Sequence, residues 1–479
     1  MEKTSADEQP ANIQPRPDDF LNYLPWACNQ LQVDATLLIN KVFQNEYVSV
    51  STSDRIKKVR SKAKLTVSQS RHDVGSDQEK DKSISDLPQF SSNTHKIVKI
   101  LAVYDNANNL VELKFQKNYQ IPRAILKIIG LIMQFQPNIA KIEINGGLDK
   151  YTIYEINSFL NKSNITELCF DGSFLKEANY DILLNASNTL RYLSLSRCKI
   201  DDSIIENIAK KLAFPQPASK SLYVLNLSSN RITDVGAQHL AQALRSNRSL
   251  IYLSLSDNSI TDDGGGYLLE ILEEFPLTNE EIYESKVRHM RYLKDKNAMI
   301  NNVIKELRSG EVDKKVTKRR ATRPISVIPR KGKLEKEPSL KSVGDAKSLI
   351  NMDILYYDKA LNVVESRMGE FKDPFSGDDT DVKDGILYCK GNNKLCYLNL
   401  AYNNLSYISL KKILAVLTMQ KLLDRTPRGL INLLIEGNNL PVSSKEMADI
   451  DDILEMGLMA QNRRMSAGKK RPQSKTTSR

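Results

Sequence analysis

The sequence predicts an α/β solenoid in which short strands alternate with helices, and two observations carry this prediction. The first is one apolar spacing that occurs three times between residues 188 and 272. In each copy a leucine is followed, after three and five places, by two more leucines, and then by Cys or Asn and an isoleucine. The copies are Leu190, Leu193, Leu195, Cys198 and Ile200; Leu222, Leu225, Leu227, Asn230 and Ile232; Leu250, Leu253, Leu255, Asn258 and Ile260. The second observation is that the apolar period then changes to four, through Gly236, Leu240 and Leu244 and through Gly264, Leu268 and Leu272.

Each part of this unit has a physical reason. Leucines two places apart point to one side of a strand, and the Asn or Cys side chain is placed to bond backbone groups at the turn that follows. An apolar residue at every fourth place predicts a helix packed on its own strand. The glycine, having no Cβ, would stand where the two backbones approach each other.

The same unit extends in both directions along the chain. A strand over Ile97–Tyr104 precedes looser copies that begin at Leu110, Ile139 and Ile165, and the six copies up to Leu250 begin 25 to 32 residues apart. Two further copies begin at Leu395 and Leu430. We therefore predict about eight strand-helix repeats in one horseshoe, split by a long insertion, because each coil of a solenoid contacts only its neighbours.

This unit resembles the leucine-rich repeat of the ribonuclease-inhibitor-like class. The split array further resembles the leucine-rich repeat-containing protein 71 family in Leu227-x-x-Asn-x-Ile-x-Asp-x-Gly-Ala, in Asn247-Arg-Ser-Leu and in the exit sequence that begins at Phe275. The resemblance covers roughly residues 110 to 453. It implies a protein without enzymatic activity and an association with cilia.

The composition divides the chain into six predicted regions. The first, residues 1–95, is rich in polar residues and is expected to be mostly disordered. The others are an N-terminal cap with repeats 1–6 (96–275), an insertion of helix, basic linker, second helix and acidic loop (276–390), repeats 7–8 (391–442), a C-terminal capping helix (443–460) and a disordered basic tail (461–479).

Some segments within these regions have their own signals. Thr278 and Glu281 have capping-box spacing, which starts a helix to about Leu307. A linker follows from Glu311 to about Ser342, then an amphipathic stretch from Leu349 to Met368, and an acidic loop at Asp378, Asp379, Asp381 and Asp384. Residues 19–50 predict either a helical pair on the repeats or a separate ligand for a partner. Whether residues 283–307 pair as a coiled coil stays open.

The composition also limits the class of protein. No apolar run is long enough to span a membrane, and the first residues lack the core of a signal peptide, so we expect an intracellular, cytoplasmic protein. The five cysteines are an odd number without a CxxC pair, which predicts structural thiols rather than disulfides or zinc ligands. No nucleotide-binding, hydrolase or metalloprotease motif is present, and the four histidines are isolated. We therefore predict no catalytic residues, no cofactor and no metal.

The predicted concave face of the sheet is the first candidate binding surface. Its outward positions carry tyrosines and small polar residues, which suit a protein partner better than a nucleic acid. The candidate face residues are Tyr192, Ser194, Val224, Asn226, Tyr252, Ser254, Tyr397 and Asn399. Ordinary ladder packing of strand aromatics is the alternative explanation for this column.

Basic segments form the second candidate surface. The net charge of +11 collects at residues 55–64, 314–336 and 463–479. Candidate electrostatic contacts to an acidic cytoskeletal surface are Lys314, Lys315, Lys318, Arg319, Arg320 and Arg323. The same cluster is compatible with nuclear import, and Ser466 after two arginines is a candidate for phosphorylation.

Together these features predict a non-enzymatic scaffold that binds another protein on the concave face, in a cytoskeletal or ciliary setting. The alternative is a GTPase-activating or GTPase-binding regulator built from the same repeats. A third possibility, an inhibitor of a basic enzyme, requires an acidic concave face, which the sequence does not provide.

Overall fold

A computed structural model describes residues 14–45, 97–118, 120–185, 189–320, 344–423, 429–441 and 443–468. The chain forms two compact units. The first consists of the residues up to Glu274 together with those from Gly391 onward. The second is Phe275–Lys390. Among the described residues, no helix is long and apolar enough to cross a membrane.

The first unit is built on a sheet of ten strands among its described residues. In sheet order these are β1 (Thr36–Phe43), β2 (Ile97–Tyr104), β3 (Leu110–Phe115), β4 (Lys141–Ile144), β5 (Glu167–Cys169), β6 (Tyr192–Ser194), β7 (Val224–Asn226), β8 (Tyr252–Ser254), β12 (Tyr397–Asn399) and β13 (Asn432–Leu434). All neighbours are parallel except β2 and β3, which are antiparallel. Strands β9 (Phe275–Pro276), β10 (Thr380–Lys383) and β11 (Ile386–Cys389) belong to the second unit.

Most strands of the ten-stranded sheet from β3 onward are followed by a helix. In chain order the α-helices are α1 (Phe20–Gln30), α2 (Arg123–Ile132), α3 (Lys150–Leu160), α4 (Asp202–Leu212), α5 (Ala218–Ser221), α6 (Asp234–Ser246), α7 (Asp262–Glu270), α8 (Asn279–Arg320), α9 (Gly344–Met368), α10 (Tyr407–Leu422) and α11 (Lys445–Gly468). Two 3₁₀ helices, Met133–Phe135 and Tyr180–Leu184, lie in the earlier part of the first unit. The repeat leucines Leu193, Leu225, Leu253 and Leu398 are fully or almost fully buried.

The N-terminal segment joins the sheet, so the expectation of a helical pair was wrong. Phe20–Gln30 is a helix with Phe20 and Leu24 buried, but Thr36–Phe43 is a strand that pairs residue for residue with β2. The β-branched and aromatic residues of Thr36–Phe43 favour a strand when the edge of another strand, here β2, lies beside them. These residues are therefore an ordered part of the predicted region 1–95. Residues 46–96 lie outside the described residues.

The turn side chains bond the backbone of the preceding coil, as their spacing predicts. Asn230 Nδ2 donates to the carbonyl oxygens of Leu195 and Leu227, and Asn230 Oδ1 accepts from the backbone N–H of Ile200. Asn258, Asn403 and Asn438 make the equivalent bonds. Cys198 donates its thiol to the Phe170 carbonyl at 3.2 Å. The side chains thus satisfy backbone groups that would otherwise be buried without partners.

A second ladder of aspartates was not expected from the sequence. Asp202 accepts from the backbone N–H groups of Thr233 and Gly236 and from the Thr233 hydroxyl. Asp234 and Asp262 repeat this arrangement one and two coils later. A Cβ on Gly236 would collide with the Asp202 carboxylate and the Ile232 side chain. The space beside Gly236 is thus filled by the aspartate of the preceding coil and by Ile232, not by a strand backbone.

The two ladders continue from the coil of β8 to that of β12. Tyr252 and Tyr397 are register partners in a parallel pair. Asn403 donates to the Leu255 carbonyl and accepts from the Ile260 N–H, while Asp262 accepts from Ser406 and Ser409. Residues more than 140 positions apart in sequence therefore share one sheet and both ladders. The division into eight coils and one insertion stays a prediction.

The second unit contains helices α8 and α9, which pack through Ile300, Val303, Ala360 and Val364. Its capping box is confirmed, because Glu281 N–H donates to the Thr278 hydroxyl and Thr278 N–H donates to Glu281. Helix α8 continues to Arg320, so the linker does not begin at Glu311. Residues 311–320 lack proline and consist largely of good helix formers, which allows the helix to propagate.

The prediction of an acidic loop at Asp378, Asp379, Asp381 and Asp384 was also wrong. Residues 380–383 and 386–389 form an antiparallel hairpin, and β11 also pairs with β9. Asp384 and Gly385 occupy its turn with φ of 50° and 78°. An Asp-Gly pair with positive φ at both residues is a strong signal for a hairpin turn.

The C-terminal helix is longer than the predicted cap. It covers Lys445–Gly468, so residues 461–468 are helical rather than part of a tail, and residues 469–479 lie outside the described residues. The Ser444 hydroxyl accepts the N–H of Met447 at its start. Ile450 is buried.

Candidate protein-binding face

The strand residues that alternate with the buried leucines form one face of the ten-stranded sheet, which we call the open face. Strand register aligns the first outward position of each coil in a row. From β3 to β13 this row is Glu112, Lys141, Glu167, Tyr192, Val224, Tyr252, Tyr397 and Asn432. All eight side chains are half-buried. Four of them, Tyr192, Val224, Tyr252 and Tyr397, are candidate face residues from the sequence, and the register brings these four together.

The open face is charged over β3 and β4. Lys114 Nζ lies 2.6 Å from Glu143, and Lys141 Nζ lies 2.9 Å from Glu112. Burial acts to raise the pKa of Glu143, but hydrogen bonds from Lys114 and Asn145 outweigh it and hold the pKa below its usual value. These charges neutralise each other across the strands.

The open face changes character from β6 onward, where its first row carries Tyr192, Val224, Tyr252 and Tyr397. The rings of Tyr252 and Tyr397 are 6.1 Å apart and tilted by 33°, a usual geometry for interacting aromatic rings. Burial raises the pKa of Tyr192. These side chains supply rigid uncharged area that is still partly accessible.

The second outward row is a hydrogen-bonded ladder. Ser194 Oγ donates to Asp171 and accepts from Asn226 Nδ2, and Ser228 Oγ lies 2.7 Å from Ser254 Oγ. Ser194 is 0% exposed and Ser254 is 2% exposed. These two predicted face residues therefore hold the strands together and offer no surface to a partner.

The amide residues of this row are more accessible. Asn226 and Asn399 are half-buried, and each accepts a bond from the backbone N–H two residues later. Asp171, which anchors the start of the serine ladder, was missed in the sequence. It stands two places beyond the strand, at the position equivalent to Ser196 and Ser228 in the following coils.

Five of the six predicted electrostatic contacts lie among the described residues of the second unit. Lys314, Lys315, Lys318, Arg319 and Arg320 belong to the last turns of α8, not to a linker. Arg323 lies outside the described residues. Most of the basic cluster is thus part of a helix.

The described part of the chain shows no group of three His, Cys, Asp or Glu residues that would hold a metal ion. Its cysteines are buried. Burial raises the pKa of Cys28 to about 11 and that of Cys198 to about 12. A thiol with such a pKa stays protonated at neutral pH and is a poor nucleophile.

Comparison with known proteins agrees with this geometry. The family model described as Leucine Rich repeat matches three consecutive segments, residues 186–209, 218–241 and 246–269. These segments contain β6, β7 and β8, with the turn residues Cys198, Asn230 and Asn258. No curated protein matches the chain. The chain contains leucine-rich repeats, a generally non-catalytic motif that binds proteins, in an α/β fold with a mainly parallel sheet.

Proposed function

We propose that the chain is a non-enzymatic scaffold that binds a protein partner on the open face, between β6 and β12. The observation that carries this proposal is the register of Tyr192, Val224, Tyr252 and Tyr397, which stand side by side on four adjacent strands. Tyrosine is enriched at protein interfaces because it offers a large rigid ring and a hydroxyl. Half-buried rings also lose little conformational freedom when a partner covers them.

The rest of the open face supports this location. The serines of the neighbouring row link the strands, and Asn226 and Asn399 of that row are half-buried. The charges of β3 and β4 are already neutralised within the sheet, so a partner gains less by covering them.

The wider setting rests on resemblance. We propose that the chain belongs with the leucine-rich repeat-containing protein 71 family, has about eight repeats and works in the cytoplasm at a cytoskeletal or ciliary structure. The basic end of α8 would add electrostatic attachment to an acidic surface.

Proximity labelling in cells with the full chain tests the face. We expect Tyr192→Ala with Tyr252→Ala to reduce recovery of the main partners by about tenfold or more, because truncated interface tyrosines are common hot spots. The matched control is Tyr151→Ala with Tyr154→Ala, two exposed tyrosines on α3. Equal recovery from both double variants would remove the open face as the binding site.

The alternative, a GTPase regulator, has its own test. We expect the purified chain to leave GTP hydrolysis by a panel of small GTPases unchanged. A stimulation that is lost in the Tyr192→Ala, Tyr252→Ala variant would replace the scaffold proposal with that alternative.

A further inference from the structure

A cleft of about 490 Å³ lies in the first unit at the edge where β7, β8, β12 and β13 begin. Its described lining residues include Lys220, Arg248 and Lys394, and none of them is acidic. The cleft is separate from the tyrosine row except at Tyr397, which lines both.

Cations from several coils reach this edge; the backbone of Glu273 lies beside Gly391 there, but Glu273 is not among the described residues that line the cleft. The segments 189–191, 213–223, 244–251 and 391–396, which lead into four strands, contain no carboxylate. Their cations are Arg191, Lys220, Arg245, Arg248 and Lys394. Arg248 Nη1 donates to the Arg245 carbonyl at 2.9 Å, at the end of α6, which fixes one positive charge in place. Several coils thus direct positive charge to one edge.

The floor of the cleft is apolar. Tyr223 is 37% exposed and Ile251 is 39% exposed, and the buried Cys396 and Ile431 continue the surface beyond Ile251, before β12 and β13. Burial raises the pKa of Cys396, so its thiol adds no charge. An aliphatic or aromatic side chain would find contact area here beside the cations.

Two ligand classes carry the negative charge that such an edge attracts, acidic peptides and single-stranded nucleic acids. Bases bind to proteins by stacking on open aromatic faces. The Arg191 guanidinium lies 4.8 Å from the centre of the Tyr223 ring and covers it, while the Tyr397 ring packs beside Tyr252. Aliphatic Ile251 and Ile431 provide no stacking surface. The geometry therefore favours a peptide.

We propose that this cleft binds an extended acidic peptide that inserts an apolar side chain over Ile251 and Ile431 between Lys220 and Lys394. The carboxylates of the peptide would lie against the cations, and the apolar side chain would set its position. This site goes beyond the scaffold proposal because it uses a different surface, and the chain would then contact two segments or two partners.

Fluorescence anisotropy with the full chain tests the proposal. The probe is a labelled synthetic peptide of glutamates around a central Leu-Phe pair, compared with a peptide in which glutamine replaces each glutamate and with an oligothymidylate. We expect Lys220→Gln with Lys394→Gln to weaken binding of the acidic peptide by about tenfold. The binding that remains should depend less on salt. Ile251→Ser should weaken binding of the acidic peptide without changing the salt dependence of that binding.

The matched control is Lys162→Gln with Lys176→Gln, which removes two exposed cations elsewhere in the first unit. We expect this variant, and Tyr192→Ala with Tyr252→Ala, to bind the peptide as the unmodified chain does. The proposal is overturned if both lysine double variants lose affinity equally, because the peptide then binds the basic surface at large. It is also overturned if the glutamine peptide binds as well, or if the oligothymidylate binds more tightly and depends on Lys220 and Lys394.

Discussion

The ten-stranded sheet has two halves, β1 to β5 and β6 to β13, and different side chains hold the strands of each half together. In the coils of β3 to β5 the turn position holds Asn118, Gly147 and Ser173, and the open face is held by ion pairs. From β6 onward the turn position holds Cys198 and then an unbroken series of asparagines, and the face carries tyrosine, serine and amide side chains. The family model matches only within this second half.

This difference shows what each set of side chains does. In the second half the asparagine ladder bonds buried backbone groups and the serine row links neighbouring strands, so the strands do not depend on charge pairs across the open face. In the first half, cross-strand charges on the face contribute to strand pairing and so occupy it. We therefore expect binding to belong to the second half, and the following variants separate the halves.

The largest expected effect is that of Asn403→Ala. The Asn403 side chain bonds the carbonyl oxygens of Leu255 and Leu400 and the N–H of Ile260, all in buried surroundings. Its loss should lower the free energy of unfolding by about 2–4 kcal/mol, measured by urea denaturation. Ser173→Ala, which removes two bonds in the first half, should cost about 1–2 kcal/mol. Equal losses would argue against a difference between the two turn ladders.

Gly236→Ala tests the aspartate ladder of the second half. The added methyl group would collide with the Asp202 carboxylate, so we expect a loss of about 1–3 kcal/mol in the free energy of unfolding. At Gly266, also in a repeat helix, the closest atom to a new Cβ is the movable Lys412 Nζ at 3.5 Å. Gly266→Ala should therefore be neutral or stabilise the helix by up to about 1 kcal/mol. A destabilising Gly266→Ala would show that close packing, not the aspartate, demands glycine.

A double-mutant cycle on Tyr252 and Tyr397 measures the aromatic contact between β8 and β12. The rings are 6.1 Å apart, and such pairs contribute about 0.5–1.5 kcal/mol beyond burial. We expect a coupling energy in that range for the two Tyr→Leu substitutions, obtained from denaturant midpoints. A coupling near zero would indicate that each ring packs independently.

The smallest expected effect on stability is that of Glu143→Gln, in the charged first half of the sheet. The pKa of Glu143 is lowered in the folded protein, so its contribution to stability is present above its ordinary value of 4.5 and is lost as pH falls through the folded value. Between pH 6 and pH 3, Glu143→Gln should show a shallower loss of stability than the unmodified chain, by about 1 kcal/mol or less. Identical pH profiles would mean that Glu143 gains nothing from Lys114.

Repeat spacing alone determined the positions of the buried leucines, the turn residues and the open-face row. It was sufficient because strand alternation and helical periodicity are local properties of the chain. The coils of β6, β7 and β8 follow that spacing most closely, and the family comparison matches the same stretch.

Tertiary structure decided what depends on neighbours distant in sequence. Strand alternation predicts that Ser194 is a surface residue. In the fold, Asp171 and Asn226 of the adjacent coils lie beside it and bond its hydroxyl. Thr36–Phe43 becomes a strand because β2 offers an edge, and a Cβ at Gly236 would meet Asp202 of the preceding coil. The Asp-Gly hairpin is the exception, since its local signal was present in the sequence. Burial and partner choice are set by contacts between coils, which periodicity within one coil does not encode.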